Sequence, residues 1–159
     1  MYSICIFIFL FLLYICKMVQ KKYLKGLTTA QKKSKVSNIK KTRALLRKGK
    51  VEEAGKLAKK RPMSKGKSRP STYTTQIKAM HPGIKPKTSD FARRTGIPMS
   101  VQREIVKRGE GAFLSAGSRP SVGSKEQWGY ARLYAFYIKL KKGRKLNHDK
   151  DLVGRVKIK

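Results

Sequence analysis

Cysteine, histidine and acid are what this sequence has least of. Its two cysteines, Cys5 and Cys16, both lie in an apolar leader, and no CxxC pair exists. His81 and His148 are the only imidazoles. A structural zinc site needs four nitrogen or sulfur ligands, so neither that site nor a disulfide framework is expected, and a reducing compartment is the default. Neither histidine has neighbours that suggest an activated serine or cysteine nucleophile. Glu104, Glu110 and Glu126 show no paired-carboxylate spacing. The phosphate-binding pattern GxxxxGK[ST] is missing, and nothing upstream of the glycines in GEGAFLSAGSRP resembles a βαβ unit. These absences point away from an enzyme, and no cofactor or metal is expected.

Positive charge is abundant. Forty Lys and Arg stand against eight Asp and Glu, a formal charge of +32 in 159 residues. Such an excess destabilises a compact chain by self-repulsion, and a polyanion nearby is the simplest relief. Nucleic acid, an anionic lipid surface or an acidic protein would serve. The most basic third is residues 17–65, with 18 cations and 2 acids. A basic arm on a more conventional domain matches that gradient.

The fold class expected is mainly α, in five segments: an apolar leader (1–19), a basic helical hairpin (20–61), a basic Pro/Gly-rich linker (62–87), a small loop-rich helical domain with an aromatic C-terminal helix (88–146), and a basic tail (147–159). The leader, MYSICIFIFLFLLYIC, carries no charge before Lys17. As a helix it rises about 24 Å against a hydrocarbon core of roughly 30 Å. A signal peptide is disfavoured, since a positive n-region and a small-x-small cleavage site are both missing. We expect a single-pass membrane anchor built on Ile4, Phe7, Phe9, Leu10, Leu12, Leu13 and Ile15, with the basic remainder on the interior side. In the competing reading translation starts at Met18 and the leader is never made.

In the hairpin, Thr28 and Gln31 make a capping box that opens a helix running to about Lys48, and Gly49 stops it. A second helix starts near Val51, with Glu52 and Glu53 where the helix dipole favours acids, and Pro62 ends it. The prolines of 62–90 leave room for one short helix, Ser71 to Met80. Asp90 is expected to cap Phe91–Thr95, and Pro98 to open a helix over Met99–Arg108 that Gly109 closes. A Gly- and Ser-rich loop then leads to an aromatic helix capped by Ser124, in which Trp128, Ala131, Tyr134, Ala135 and Ile138 share a face. The end of the chain, Arg155–Lys159, reads as an extended tail, and His148, Asp149 and Asp151 as a solvated turn.

Two groups of residues are candidates for contact. Lys32, Lys33, Lys40, Lys41, Arg43, Arg47, Lys48 and Arg119 would meet a polyanion or acidic partner. A charge run is usually a solvated face, but here the interleaving acids are missing. Phe113, Trp128, Tyr130, Tyr134 and Tyr137 would pack, with Trp128 and Tyr134 in the core and Tyr130 and Tyr137 at an interface. A base-stacking platform is the alternative for these aromatics.

The run RGEGAFLSAGSRP…QWGYARLYAF, with KGLTTAQKK upstream and NHDKDL downstream, resembles a family of basic proteins from large DNA viruses of algae, the chloroviruses and their relatives, and from some tailed phages. The resemblance covers residues 20–153 and leaves the leader outside. It implies a viral source and a virion component. Those viruses have an icosahedral capsid over an inner membrane, with minor proteins between. The expectation is therefore a structural minor capsid protein linking shell to inner membrane, whose partners are the major capsid protein, neighbouring minor proteins and that membrane. The alternative is a basic virion protein that condenses nucleic acid, with genomic DNA as partner.

Overall fold

The computed structural model describes residues 19, 21–63, 70–117, 119 and 122–159. The expected anchor residues Ile4, Phe7, Phe9, Leu10, Leu12, Leu13 and Ile15 lie outside them. Among the described residues no helix is long and apolar enough to cross a membrane, and no strand is present. The chain is mainly helical. Its α-helices are α1 (Thr29–Arg47), α2 (Val51–Lys59), α3 (Thr72–Met80), α4 (Ser89–Thr95), α5 (Met99–Ala116) and α6 (Lys125–Lys141), flanked by 3-10 turns at Lys21–Tyr23 and Lys150–Arg155.

The hairpin forms as its local signals require. Thr28 Oγ1 accepts from the Gln31 N–H at 3.3 Å, and Gln31 Oε1 accepts from the Thr28 N–H at 3.0 Å. After α1 the Gly49 N–H donates to Leu46 O and the Lys50 N–H to Leu45 O, which is the paired bonding of a Schellman stop. The Asn38 amide then crosses the hairpin to Leu57 O at 2.8 Å. Ala54 and Ala58 are the buried residues of α2. Small side chains there let α2 lie close to α1.

Two expectations about helix ends are corrected. Thr88, not Asp90, caps α4: its hydroxyl accepts from the Phe91 N–H, while Asp90 sits in the first turn and pairs with Arg93 and Arg94. Pro98 does open α5, but the helix runs through Gly109 and Gly111 to Ala116. Most of the expected glycine loop is therefore helix. The reason is tertiary. A Cβ on Gly109 would lie 2.7 Å from the Cα of Gly129, and a Cβ on Gly129 would lie 2.9 Å from Val106 O. Two glycines facing each other let the backbones of α5 and α6 touch, and the packing gained outweighs the roughly 1 kcal/mol that a mid-helix glycine costs. The helix ends only at Gly117, whose φ of 86° suits glycine and whose missing side chain leaves room for Ile39 of α1.

The main core gathers residues from Ile77 to Leu152. Ile77, Phe91, Ile97, Val101, Ile105, Leu133 and Tyr137 are fully buried in it, with Ile84, Leu146 and Leu152 nearly so. The expected boundaries near residues 87 and 146 thus do not divide the core. Ile77 and Ile84 bring the 62–87 segment into it, and the tail returns along α4, where Lys157 and Lys159 donate their N–H groups to Gly96 O and Thr95 O. Buried Gln102 fastens the loop before α4: its Oε1 accepts from the Lys87 N–H, and its Nε2 donates to Ile97 O and Thr88 O. A smaller cluster of Ala58, Phe113 and Leu114, edged by Leu46, Val122 and Trp128, joins the hairpin to the end of α5.

The two glycines of α5 should respond oppositely to the same change. Gly111 has nothing within 4 Å of an added Cβ, so Gly111→Ala should stabilise by about 0.5–1 kcal/mol. Gly109→Ala should destabilise by about 1–3 kcal/mol, because it forces two backbones apart. Denaturant midpoints of the two variants measure both, and equal shifts in one direction would contradict the crossing.

Candidate polyanion-binding face

Acids decide where the positive charge is free. All eight are held in ion pairs, and none of these pairs includes a residue of α1. The tightest group lies where the C-terminal turn meets α5 and α6. Asp149, with its side chain almost wholly buried, takes both Nε and Nη2 of Arg132 at 2.7 and 2.9 Å. Arg108 reaches Asp149, Asp151 and Glu104, and Arg155 closes the group on Glu104. The Arg108 hydrogen bonds hold the Asp151 carboxyl below the usual carboxylate range. The reading of His148, Asp149 and Asp151 as a solvated turn is therefore corrected for Asp149, which is buried; Asp151 stays exposed, and the two together staple the C-terminal turn onto α5 and α6.

With no acid of its own, α1 presents its cations to solvent. Lys32, Lys33, Lys40, Lys41, Arg47 and Lys48 are exposed. Lys32, Lys33 and Lys40 border a shallow groove of about 410 Å³ whose other walls are Val36 and Ser37. Arg119 is exposed as well, and lies close enough to Tyr23 for its charge to act on the phenol. Seven of the eight expected cations are thus exposed to solvent.

Arg43 is the exception. It is half-buried, and its Nε donates to Ser115 O at 2.6 Å. Beside it Arg61, which sequence reading passed over, donates Nη1 to Phe113 O at 2.6 Å, Nη2 to Leu114 O at 2.8 Å and Nε to Asn38 Oδ1 at 3.0 Å. These carbonyls end α5, where the helix dipole is negative and no basic residue of α5 itself stands in the last turn. Two arginines from the hairpin supply what the helix lacks. The Arg61 guanidinium also lies over the Phe113 ring, 5.4 Å from its centroid. No spacing could have revealed this, because the acceptors are backbone oxygens more than 50 residues away.

Lys35 is the second residue missed. It lies on the inner side of α1 and is 1 % exposed. Burial, helped by the nearby Arg61 charge, lowers its amine to about 8. Burial and then the Arg43 charge lower Arg61 in turn.

The packing aromatics are redistributed. Phe113 and Tyr134 are buried, the latter stacked on Phe91 with centroids 6.1 Å apart. Trp128 belongs to the smaller cluster and not to the main core; it is half-buried, with the Tyr23 ring edge-on to it. Tyr130 is half-buried beneath the Lys87 amine, as a flanking residue should be. Tyr137, expected at an interface, is fully buried, and its hydroxyl lies 2.8 Å from His81 Nε2. The cause is that α6 is covered on almost every side, so Leu133, Phe136 and Tyr137 are buried beside Tyr134 and Ile138.

Fold and site define a basic, mainly helical protein whose α1 carries no acid and turns most of its cations to solvent. Residues 20–153 match the model of a family of unknown function, DUF5824, and the chain belongs to that family. No curated protein and no solved structure matches it.

Two predictions follow from the buried cations. Arg61→Met should leave the Phe113 and Leu114 carbonyls unpaired and cost about 2 kcal/mol or more in chemical denaturation; unchanged stability would refute the clasp. Lys35 has a folded pKa of about 8 against an ordinary 10.5. The folded state thus disfavours its proton, carries that penalty in full below pH 8, and is relieved as pH rises towards 10.5. Lys35→Met should raise stability at pH 7 by up to about 3 kcal/mol and flatten the rise between pH 8 and 10.5. Melting curves across that range check both effects.

Proposed function

We propose that the chain is a structural component of a virion, a minor capsid protein that links the capsid shell to the inner membrane of a large icosahedral DNA virus. In this reading it lies between shell and membrane. The leader is its membrane anchor, and the major capsid protein and neighbouring minor proteins are its partners. The supporting observation is the division of the charge. Every carboxylate stands in an ion pair outside α1, while most lysines of α1 face outward and are available to a neighbour. Arg119 and the exposed apolar residues Val51 and Met63 add contact points near the hairpin. The ion-paired groups of the helical body serve as staples, a role consistent with a scaffold. The resemblance of RGEGAFLSAGSRP…QWGYARLYAF to proteins of large algal viruses supports the viral setting.

A second reading, a basic virion protein that condenses nucleic acid, is favoured by the same acid-free helix. Fractionating purified virions separates the two. The capsid reading expects the chain with shell and membrane fractions, released by detergent and retained in high salt. Recovery with DNA alone, released by salt and never by detergent, would overturn it.

A further inference from the structure

Seven residues of α-helix advance about 10.5 Å and return to within about 20° of the starting direction. In α1 that interval separates Lys33 from Lys40 and Lys40 from Arg47, and it separates Lys41 from Lys48, the C-cap residue. The exposed side of the helix therefore carries two parallel rows, five cations over about 22 Å of axis. Ser34, Ser37 and Ala44, also exposed, lie among them. Their small size lets a partner approach the helix backbone closely, and the serines add hydroxyl donors.

Three kinds of polyanion could meet such a face, and the residues separate them. Stable seating in a lipid surface needs apolar side chains to insert beside the charges. The exposed large apolar residues among those described are Val51, Met63, Met80 and Val153, and none belongs to α1. The apolar side of α1 is turned inward on Ile39 and Leu46. A protein interface is typically anchored by aromatic, Met or Arg side chains at its centre and depleted of lysine there. Lysine dominates here, and the central positions are serine and alanine. A nucleic-acid backbone asks only for fixed point charges and small donors. Reading bases would need Asn, Gln or bidentate Arg in reach. Asn38 is committed to Leu57 O and Arg43 to Ser115 O, so neither serves.

We infer that the outer face of α1 seats the phosphate backbone of double-stranded nucleic acid without reading its sequence. The inference rests on the nucleic-acid reading above and gives it a location. Lys33, Lys40 and Arg47 form the principal row, with Lys41 and Lys48 beside it. Lys32, by the groove, extends the charge towards the start of the helix.

The test measures binding of the full-length chain to a fluorescein-labelled random-sequence duplex by anisotropy over a series of salt concentrations. Each phosphate contact contributes about 0.9 to the slope of log K against log salt, so the triple variant Lys33→Gln, Lys40→Gln, Arg47→Gln should lose roughly 2.7 of that slope. A control removes the same charge from the exposed residues Arg103, Arg144 and Lys150 of the helical body and should lose less than about 1. All six positions are exposed, and unchanged far-UV circular dichroism verifies the fold of both variants. Equal losses in the two variants would leave nucleic-acid binding standing and overturn its placement on α1. No binding of the parent to duplex would overturn both. Polyglutamate or anionic phosphatidylserine vesicles displacing the probe as well as unlabelled duplex, at equal charge, would overturn nucleic acid as the partner.

Discussion

The C-terminal carbonyls of α5 are where this structure is joined. A helix end leaves its last oxygens without partners and carries the negative pole of the dipole. In most proteins a cation of the same helix or a bound water answers that need. Here Arg61 and Arg43 come from a separate hairpin, and between them they satisfy Phe113, Leu114 and Ser115. The bonds join two elements that also meet at the small cluster around Ala58, Phe113 and Leu114 and where Gly117 leaves room for Ile39. They also let cations be buried without a carboxylate. In a chain with forty cations and eight acids, backbone oxygen is the available counter-group.

Scarcity of acid shapes the rest of the electrostatics. Asp149 is desolvated and therefore needs more than one donor, which Arg132 and Arg108 supply. Asp151 and Glu104 extend the group to Arg155 and hold the last turn of the chain against α5 and α6. Glu52 and Glu53 are taken by Lys56 and Lys50 beside them. With the carboxylates paired in these places, none neutralises the outer side of α1. Its exposed charge is a consequence of where the acids went.

Lys35 carries the cost of this arrangement. A buried amine beside Arg61, with its pKa lowered to about 8, weakens the fold at neutral pH. Close backbone contact at Gly109 and Gly129 and the large apolar cluster on α6 offset such costs.

Local chemistry was legible in the sequence. Thr28 with Gln31, Ser71, Ser124, Pro62 and Gly49 mark helix ends through groups within a few residues, so the hairpin, the Ser71–Met80 helix and the start of the aromatic helix could be read directly. The exposed lysines of α1 were legible too, because a helix with no acid must send most of its charge outward. What needed the tertiary structure were decisions made by distant backbone. Gly109 looks like a helix stop until Gly129 lies against it. Asp149 looks solvated until Arg132 and Arg108 converge on it. Arg43 looks like its exposed neighbours, yet the carbonyl of Ser115 draws it inward, and Arg61 gives no signal at all, since peptide oxygens are present in every sequence and only the fold places three of them together. Tyr137 shows the same limit, because a helix buried all round has no single apolar stripe to read. The sequence by itself determined most of the helices, most of their caps and the acid-free face; the tertiary structure alone decided which cations that face keeps.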